Sequence, residues 1–258
     1  MLNNLPDFPI LEFDPDPKAI LEPGQLVPPE DVPEHCVVCF FAEVINDLVQ
    51  TKQARKIAVS KSEMGEHPLY EIESVGQRLA FFHPGIGAPL ATSLLEEMIA
   101  RGCRKFIACG GCGVLDRQVT VGHVIIPQTA VRDEGTSYHY LPPSREVDPH
   151  PRVTQALISV FKEAGVNYRL GKAWTTDGLY RETKGKRAAR VAEGCSVVEM
   201  EASALFAVAQ FREVMIGEVV YGGDLVVPEG WDKRGWLNRA DERRLLFELS
   251  VQAARLLV

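Results

Sequence analysis

Short apolar runs that alternate with amphipathic segments are the feature of this sequence that most constrains its fold. Three such runs are CVVCFF at 36–41, FIACGG at 106–111 and VVEM at 197–200. Each has the length of a strand that is buried on both faces of a sheet, and segments of about 10–15 residues with helical spacing are typical of the helices that cover those faces. The sequence therefore predicts an α/β fold, a three-layer single domain with a central mixed sheet flanked by helices.

The same patterns predict the other elements along the chain. These are helices at 43–56, 92–100, 152–164, 184–193, 202–211 and 239–257, strands at 123–134, 170–176 and 214–224, and a hairpin at 70–83 that turns at Gly76. Residues 1–35 contain eight of the 17 prolines, and proline disfavours helix. We therefore expect a proline-rich arm over 1–35 that lies on a domain formed by 36–258.

Composition excludes several classes of partner. The formal net charge is −7 and no block of Lys and Arg occurs, so we expect no binding to a nucleic-acid polymer. The first residues have no basic and apolar pattern typical of a signal peptide, and no run of about 18 apolar residues occurs. The sequence therefore predicts a cytoplasmic protein without a membrane partner.

Four of the six cysteines form two CxxC pairs, Cys36–Cys39 and Cys109–Cys112. The first pair lies in a predicted strand, where residues i and i+3 point to opposite faces and cannot chelate one ion together. The second pair has two glycines between its cysteines, so a metal knuckle or a redox pair is an open alternative there. We expect no metal site.

Two glycine clusters are predicted to lie at strand ends. Gly85 and Gly87 stand between a strand and a helix, where glycines let a ligand approach the backbone of the helix N-terminus. Gly110-Gly111-Cys112-Gly113 is predicted to close a second strand with a turn. Ligands bind at strand ends in open α/β sheets, but an ordinary strand-to-helix turn has the same pattern.

The segment Val198-Glu199-Met200-Glu201-Ala202 places two carboxylates around a methionine where a strand leads into a helix. A carboxylate accepts hydrogen bonds from both hydroxyls of a ribose, and a methionine packs on the apolar face of the sugar. The alternative interpretation is an acidic residue at a helix start, which the helix dipole favours.

In order along the chain, these segments resemble the nucleoside phosphorylase/nucleosidase superfamily. The resemblance covers about residues 78–227 and is carried by GIGAP, GGCGVL, VGHVIIPQTAVRDEGTSYHY, TTDGLY, VVEMEASALFAVAQ and YGGD. It implies an enzyme that cleaves the bond between ribose and base, with phosphate as co-substrate and no other cofactor. It also implies a homo-oligomer, either a dimer or a hexamer.

The resemblance implies a role for each matching residue. Glu201 holds the ribose hydroxyls, with Glu199 nearby and Met200 under the sugar, and Asp224 acts on the leaving base as a buried general acid with a raised pKa. The remaining implied contacts are Leu179, Tyr180, Gly111 and Cys112 for the base, and Gly87, Gly110 and His83 for phosphate.

The chain departs from the phosphorolytic members of the family at the phosphate site. The arginine that precedes the second glycine turn is replaced by Ala108, and the hydroxyl residue within that turn is replaced by Gly111. Other groups then hold phosphate, with Arg132, Arg181, Lys61 or His83 as candidates, or water is the nucleophile and the enzyme is a nucleosidase.

Three further questions stay open at this stage. Asp224 favours purines, whereas AVRDEGTSYHY resembles uridine phosphorylase, so the base preference is open. The segment from Trp231 to Trp236 is either a lid over the base or a surface loop, and His139 either lines the site or packs. A third possible function is a nucleoside-binding protein without catalysis, which would bind ligand but release no base.

Overall fold

The fold follows from the alternation of apolar strands and amphipathic helices. In the computed structural model, which describes residues 7–258, eleven strands and seven α-helices alternate along one chain. The strands are β1 His35–Cys39, β2 Arg55–Ser62, β3 Gly65–Ser74, β4 Gln77–Phe82, β5 Lys105–Val114, β6 Val124–Asp133, β7 Glu146–Val147, β8 Tyr168–Thr176, β9 Cys195–Glu199, β10 Met215–Val227 and β11 Gly230–Asp232. The helices are α1 Pro23–Leu26, α2 Ala42–Gln50, α3 Ala88–Arg101, α4 Pro151–Glu163, α5 Lys184–Ala192, α6 Ala202–Phe211 and α7 Ala240–Arg255.

All the strands belong to one mixed sheet. Its order is β11-β10-β6-β8-β9-β5-β1-β4-β3-β2, with β7 paired to β6. An additional parallel pairing joins β10 to β5, so that β5, β10, β6, β8 and β9 close into a ring. The predicted three-layer α/β fold is confirmed, and the ring brings β9 and β10 to the two sides of β5.

Two apolar cores lie on the two faces of the sheet. One core contains side chains of α3 and α6, and the other contains side chains of α2, α4 and α7. Cys36 belongs to the first core and Cys39 to the second, so this CxxC pair points to opposite faces of β1, as the strand pattern predicts. Within the described chain, no helix combines the length and apolarity needed to span a membrane.

The predicted arm contacts the body of the molecule through charged side chains. Arg101 of α3 pairs with Glu30 at 2.5 Å, and Arg78 of β4 pairs with Asp31 at 3.0 Å. The described part of the arm contains one turn of 3-10 helix at Pro9–Leu11 and the short α1. Residues 1–6 of the predicted arm lie outside the described residues.

One predicted helix differs from the structure, and one strand of the structure has no predicted counterpart. The helix predicted over 43–56 ends at Gln50. The hydroxyl of Thr51 donates to the carbonyl of Asp47, and Lys52 has a φ of +59°, which is not a helical backbone conformation. The following residues form β2, an edge strand with many charged side chains that lacks an apolar pattern. The hairpin turn at Gly76 is confirmed, and its φ is +74°.

Candidate functional site

The junction between β9 and α6 is held by the buried carboxyl of Glu199. Its Oε2 accepts the backbone N–H groups of Glu201 and Ala202, each at 2.6 Å, and its Oε1 accepts the Thr175 hydroxyl at 2.5 Å. The first N–H groups of a helix have no partner within the helix, so this carboxyl caps α6. Both oxygens of Glu199 are therefore engaged by the protein.

Glu201 lies at the start of α6 and reaches across to the start of α3. Its Oε1 accepts the backbone N–H of Gly87 at 2.5 Å, and the side chain is buried, since the residue is 7% exposed. Burial and the charge of Glu199 raise the pKa of Glu201 to about 8, and burial raises the pKa of Glu199 to about 7. The structure thus brings together two of the predicted segments, and the carboxyl that joins them binds its proton more strongly than an exposed glutamate.

The turn between β4 and α3 requires its glycines. Gly85 and Gly87 have φ values of +78° and +92°, which residues other than glycine rarely adopt. The N–H of Gly85 donates to Nδ1 of His83 at 3.0 Å, and burial lowers the pKa of His83. His83 is therefore neutral near pH 7, and the N–H of Gly87, predicted for phosphate, donates to Glu201.

The second glycine cluster is part of a strand, which corrects the predicted turn. β5 continues to Val114, because β10 pairs with it through Gly110, Gly111 and Cys112. A Cβ at Gly110 would lie 3.2 Å from the Phe40 ring, and a Cβ at Gly111 would lie 3.2 Å from the Tyr221 ring. These glycines let aromatic rings pack closely on the strand.

Asp224 lies at an irregularity in the pairing of β10 with β5. The register between the two strands shifts between Gly222 and Leu225, and the half-buried Asp224 accepts a hydrogen bond from the indole N–H of Trp231 at 2.5 Å. Trp231 belongs to β11, which forms a hairpin with β10. The segment predicted as a lid or a loop thus begins as a strand that packs beside Asp224.

Sequence reasoning missed Glu182, which follows the 3-10 helix Leu179–Arg181. Burial and the negative charge of Asp224 raise the pKa of Glu182 to about 7. The predicted base contacts Leu179 and Tyr180 are 52% and 94% exposed. The 3-10 helix that follows β8 therefore presents these two side chains to solvent, shortly before Glu182 in the chain.

Sequence reasoning also missed Glu218, a charged residue type inside the apolar run VMIGEVVY. It is 2% exposed, its Oε2 has no hydrogen-bond partner among the described residues, and strand pairing places it opposite Ala108. Burial and the charges of Glu199 and Glu201 raise its pKa well above the ordinary value. The signal in the sequence was a single glutamate at a position where every neighbour is apolar or glycine.

Of the proposed cationic groups for phosphate, Arg132 is engaged elsewhere, and Arg181 and Lys61 are exposed. Arg132 is buried, and its guanidinium donates to Ser137, Ser144 and the carbonyls of Leu141 and Pro142. It therefore holds the loop that follows β6. Arg181 is exposed, and Lys61 is exposed on the edge strand β2.

None of the cysteines is in a disulfide within the described chain, and all six are buried. Cys109 and Cys112 both lie in β5, where burial raises the pKa of each thiol well above the ordinary value. No group of three or more His, Cys, Asp or Glu side chains in residues 7–258 is arranged to hold a metal ion.

Comparison with known proteins identifies the family of this chain. A family model described as "Phosphorylase superfamily" matches residues 34–244. Uridine phosphorylase from Thermococcus kodakarensis is 32% identical over 128 residues, which are 50% of this chain and 45% of that protein. Guanosine phosphorylase from Halorubrum lacusprofundi is 26% identical over 162 residues, 62% of this chain and 67% of that protein. The match to the uridine phosphorylase therefore spans less than half the length of that relative.

The fold is shared with solved structures at low sequence identity. Purine nucleoside phosphorylase from Toxoplasma gondii in complex with immucillin-H superposes with a TM-score of 0.76, at 20% identity, over 89% of this chain and 95% of that one.

Proposed function

Because the chain belongs to the phosphorylase superfamily, we propose that it is an enzyme that cleaves the N-glycosidic bond of a nucleoside and transfers the ribosyl group to phosphate. The names of its relatives, uridine phosphorylase and guanosine phosphorylase, support this proposal. The structural observation that carries it is the buried carboxyl of Glu201, which the N–H of Gly87 fixes at the meeting point of α3 and α6.

In the proposed reaction Glu201 binds the ribose. Its carboxylate accepts hydrogen bonds from the 2′- and 3′-hydroxyls, and such charge-assisted bonds are about twice as strong as neutral ones. Glu199 is a positioning residue, since its Oε2 accepts the N–H groups at the start of α6 and so fixes Glu201. Met200, which is half-buried between them, packs on the apolar face of the sugar.

The raised pKa of Glu201 has a consequence for binding. Near pH 7 this carboxyl is protonated in the empty site. Hydrogen bonds donated by the ribose hydroxyls favour its ionised form. Ribose binding therefore releases a proton. As the base leaves, positive charge develops on the ribosyl group, and the newly formed carboxylate stabilises it more in the transition state than in the ground state.

The base lies towards Asp224 in this proposal. Asp224 supplies or shares a proton with the leaving base. Glu182, whose pKa is raised to about 7, is a second carboxyl on this side of the site that carries a proton near neutral pH. Leu179 and Tyr180 provide apolar contact from the end of β8, and Gly111 and Cys112 form the wall of the site on β5. Both uridine and guanosine occur in the relatives' names, so the proposal covers pyrimidine and purine nucleosides.

In this proposal, phosphate binds beside the ribose and contacts Gly110 and His83. The N–H of Gly87 is used by Glu201, so Gly87 acts through that carboxyl instead of contacting phosphate. Neutral His83 offers one N–H donor, and phosphate attacks C1′ of the ribose as the bond from C1′ to the base nitrogen breaks.

Hydrolysis at the same site is a second candidate, and one observation favours it. Ala108 stands where the family resemblance implies an arginine, and within residues 7–258 no Lys or Arg side chain forms a hydrogen bond to the glycines at 85–87 or 110–113. Phosphate sites normally contain such charge-assisted donors. Water is neutral and needs no cationic donor, so a site without such donors also accepts water as the nucleophile.

A panel of purine and pyrimidine nucleosides, assayed for base release with and without phosphate, tests the proposal. We expect release that depends on phosphate with at least one nucleoside. Release at the same rate without phosphate would replace phosphorolysis by hydrolysis. Saturable nucleoside binding with no base release under either condition would overturn the proposed enzyme activity and leave a binding protein.

A further inference from the structure

One buried carboxyl beside the proposed ribose site has no partner. Glu218 is 2% exposed, and its Oε2 forms no hydrogen bond with the described part of the protein. Leaving a buried polar atom without a hydrogen bond destabilises the folded protein. A polar side chain that is retained in such a position is a candidate for contact with a ligand.

Glu218 lies on the same face of the sheet as the two helices that form the proposed ribose site. It is opposite Ala108 in the pairing of β10 with β5, so both side chains lie on the face of the sheet that α3 and α6 cover. The methyl group of Ala108 offers no polar partner. The proposed ribose site lies at the starts of these same two helices, where the N–H of Gly87 donates to Glu201.

The titratable groups that face Glu218 are all acidic or thiol groups. They are Glu199 and Glu201 at the junction of β9 and α6, and Cys112 of β5, which lies in the same core as Ala108. No ion pair is formed by Glu199, Glu201 or Glu218 with any residue in the range 7–258. Without a nearby cation, burial and the neighbouring carboxyls keep the proton on Glu218, whose pKa is raised well above its ordinary value.

A protonated carboxyl is a hydrogen-bond donor. We propose that Glu218, in its protonated form, donates a hydrogen bond to an oxygen of phosphate and so binds the co-substrate at the floor of the site. This inference rests on the proposed function, because the phosphate must lie beside the ribose that Glu201 holds. It supplies one donor to a site that lacks the expected arginine, and the proton also removes a negative charge that would repel phosphate.

Proton and phosphate binding are then linked. A bound phosphate anion favours the protonated form of Glu218, and the donor is lost as the pH rises through the pKa of that carboxyl. Phosphate KM should therefore rise at high pH. Nucleoside KM should fall over the same range, because Glu201 must ionise to bind the ribose.

Three variants separate this role from a structural one. Glu218→Gln keeps a donor that does not titrate, whereas Glu218→Leu keeps the volume and removes the donor. Glu97→Gln is the matched control, because Glu97 also has a buried Oε2 without a partner but lies on α3, beside a cavity under the arm. Thermal unfolding of each variant confirms that it is folded.

The measurement is phosphate KM at saturating nucleoside between about pH 6 and pH 9, compared as a ratio to wild type so that the ionisation of phosphate itself cancels. We expect Glu218→Leu to raise phosphate KM by about tenfold, the effect of losing one hydrogen bond, with nucleoside KM unchanged. We expect Glu218→Gln to keep the wild-type phosphate KM at neutral pH and to lose its rise at high pH. Glu97→Gln should follow wild type at every pH.

Two results would overturn the inference: a wild-type phosphate KM in folded Glu218→Leu, or equal increases of both KM values in Glu218→Gln and Glu218→Leu. If no nucleoside is cleaved, the proposed function fails first. Calorimetric titration of wild type and Glu218→Leu with inorganic phosphate then still decides the inference, because it predicts weaker binding to Glu218→Leu and is contradicted by equal affinity.

Discussion

Replacing Glu201 by glutamine removes the charge that the proposed mechanism requires and keeps the shape of the side chain. Glu201→Gln still offers a carbonyl oxygen to the N–H of Gly87, which donates to Oε1 at 2.5 Å in the wild type. The amide cannot ionise, so it accepts ribose hydroxyls as a neutral group only. The substitution therefore removes the charge, while the hydrogen bond between α3 and α6 is kept.

The expected size follows from the burial of this carboxyl. Glu201 is 7% exposed, so solvent screens its interaction with a ribosyl cation only weakly. Hydrogen bonds to a charged group contribute about 1.5–3 kcal/mol, and 1.4 kcal/mol corresponds to a factor of ten. Loss of the charge-assisted component of two such bonds should lower kcat/KM by about two orders of magnitude.

The assay is base release across a series of pH values, with Glu97→Gln as the control for removing a carboxylate elsewhere. In the wild type, kcat/KM should rise as the pH increases through the pKa of Glu201, because the ionised form binds the ribose. Glu201→Gln should lose this rise together with its activity. A folded Glu201→Gln enzyme with wild-type kcat/KM and an unchanged pH profile would refute the assigned role.

Three further predictions concern the leaving base, stability and assembly. Asp224→Asn should slow cleavage of natural nucleosides by about 10²–10⁴-fold but spare a nitrophenyl riboside, whose leaving group needs no proton; equal slowing of both substrates would contradict general acid catalysis. The pKa values of Glu199 and Glu201 are raised in the folded state to about 7 and about 8, so the stability they contribute is fully present below their unfolded pKa and is lost as the pH rises through those values. The unfolding temperature should therefore fall between about pH 5 and pH 8 at about 2–4 °C per kcal/mol, and less so in Glu201→Gln; parallel curves for the two proteins would contradict this. Sedimentation at micromolar concentration should show a homo-oligomer, and a species of monomer mass alone would contradict that expectation.

Much of the fold could be predicted from local patterns, because each strand and helix carries its own periodicity. The strand at 123–134 and the helix at 202–211 have bounds within one residue of β6 and α6. The strand β2 could not be predicted, since it lies at the edge of the sheet and its burial alternates weakly. Its position depends on pairing with β3, which a local pattern does not contain.

The parts of the site that could not be predicted depend on contacts between distant segments. The sequence pattern indicates Glu199 and Glu201 as a pair, but the donor to Glu201 is Gly87, 114 residues away. The local pattern predicts a turn at the glycines 110–111, because the rings of Phe40 and Tyr221 that require them come from distant parts of the chain. Glu218 gave a local signal, a glutamate in an apolar strand, whose meaning depends on the absence of a partner after folding.

Identification of the ribosyl product tests the central claim most directly. Incubation of the protein with a cleaved nucleoside and phosphate, followed by phosphorus NMR, should show inorganic phosphate converting to ribose 1-phosphate in step with the release of base. Release of base with free ribose and an unchanged phosphate signal would contradict transfer to phosphate. The absence of any product at high enzyme concentration, across the full nucleoside panel, would contradict cleavage of the N-glycosidic bond.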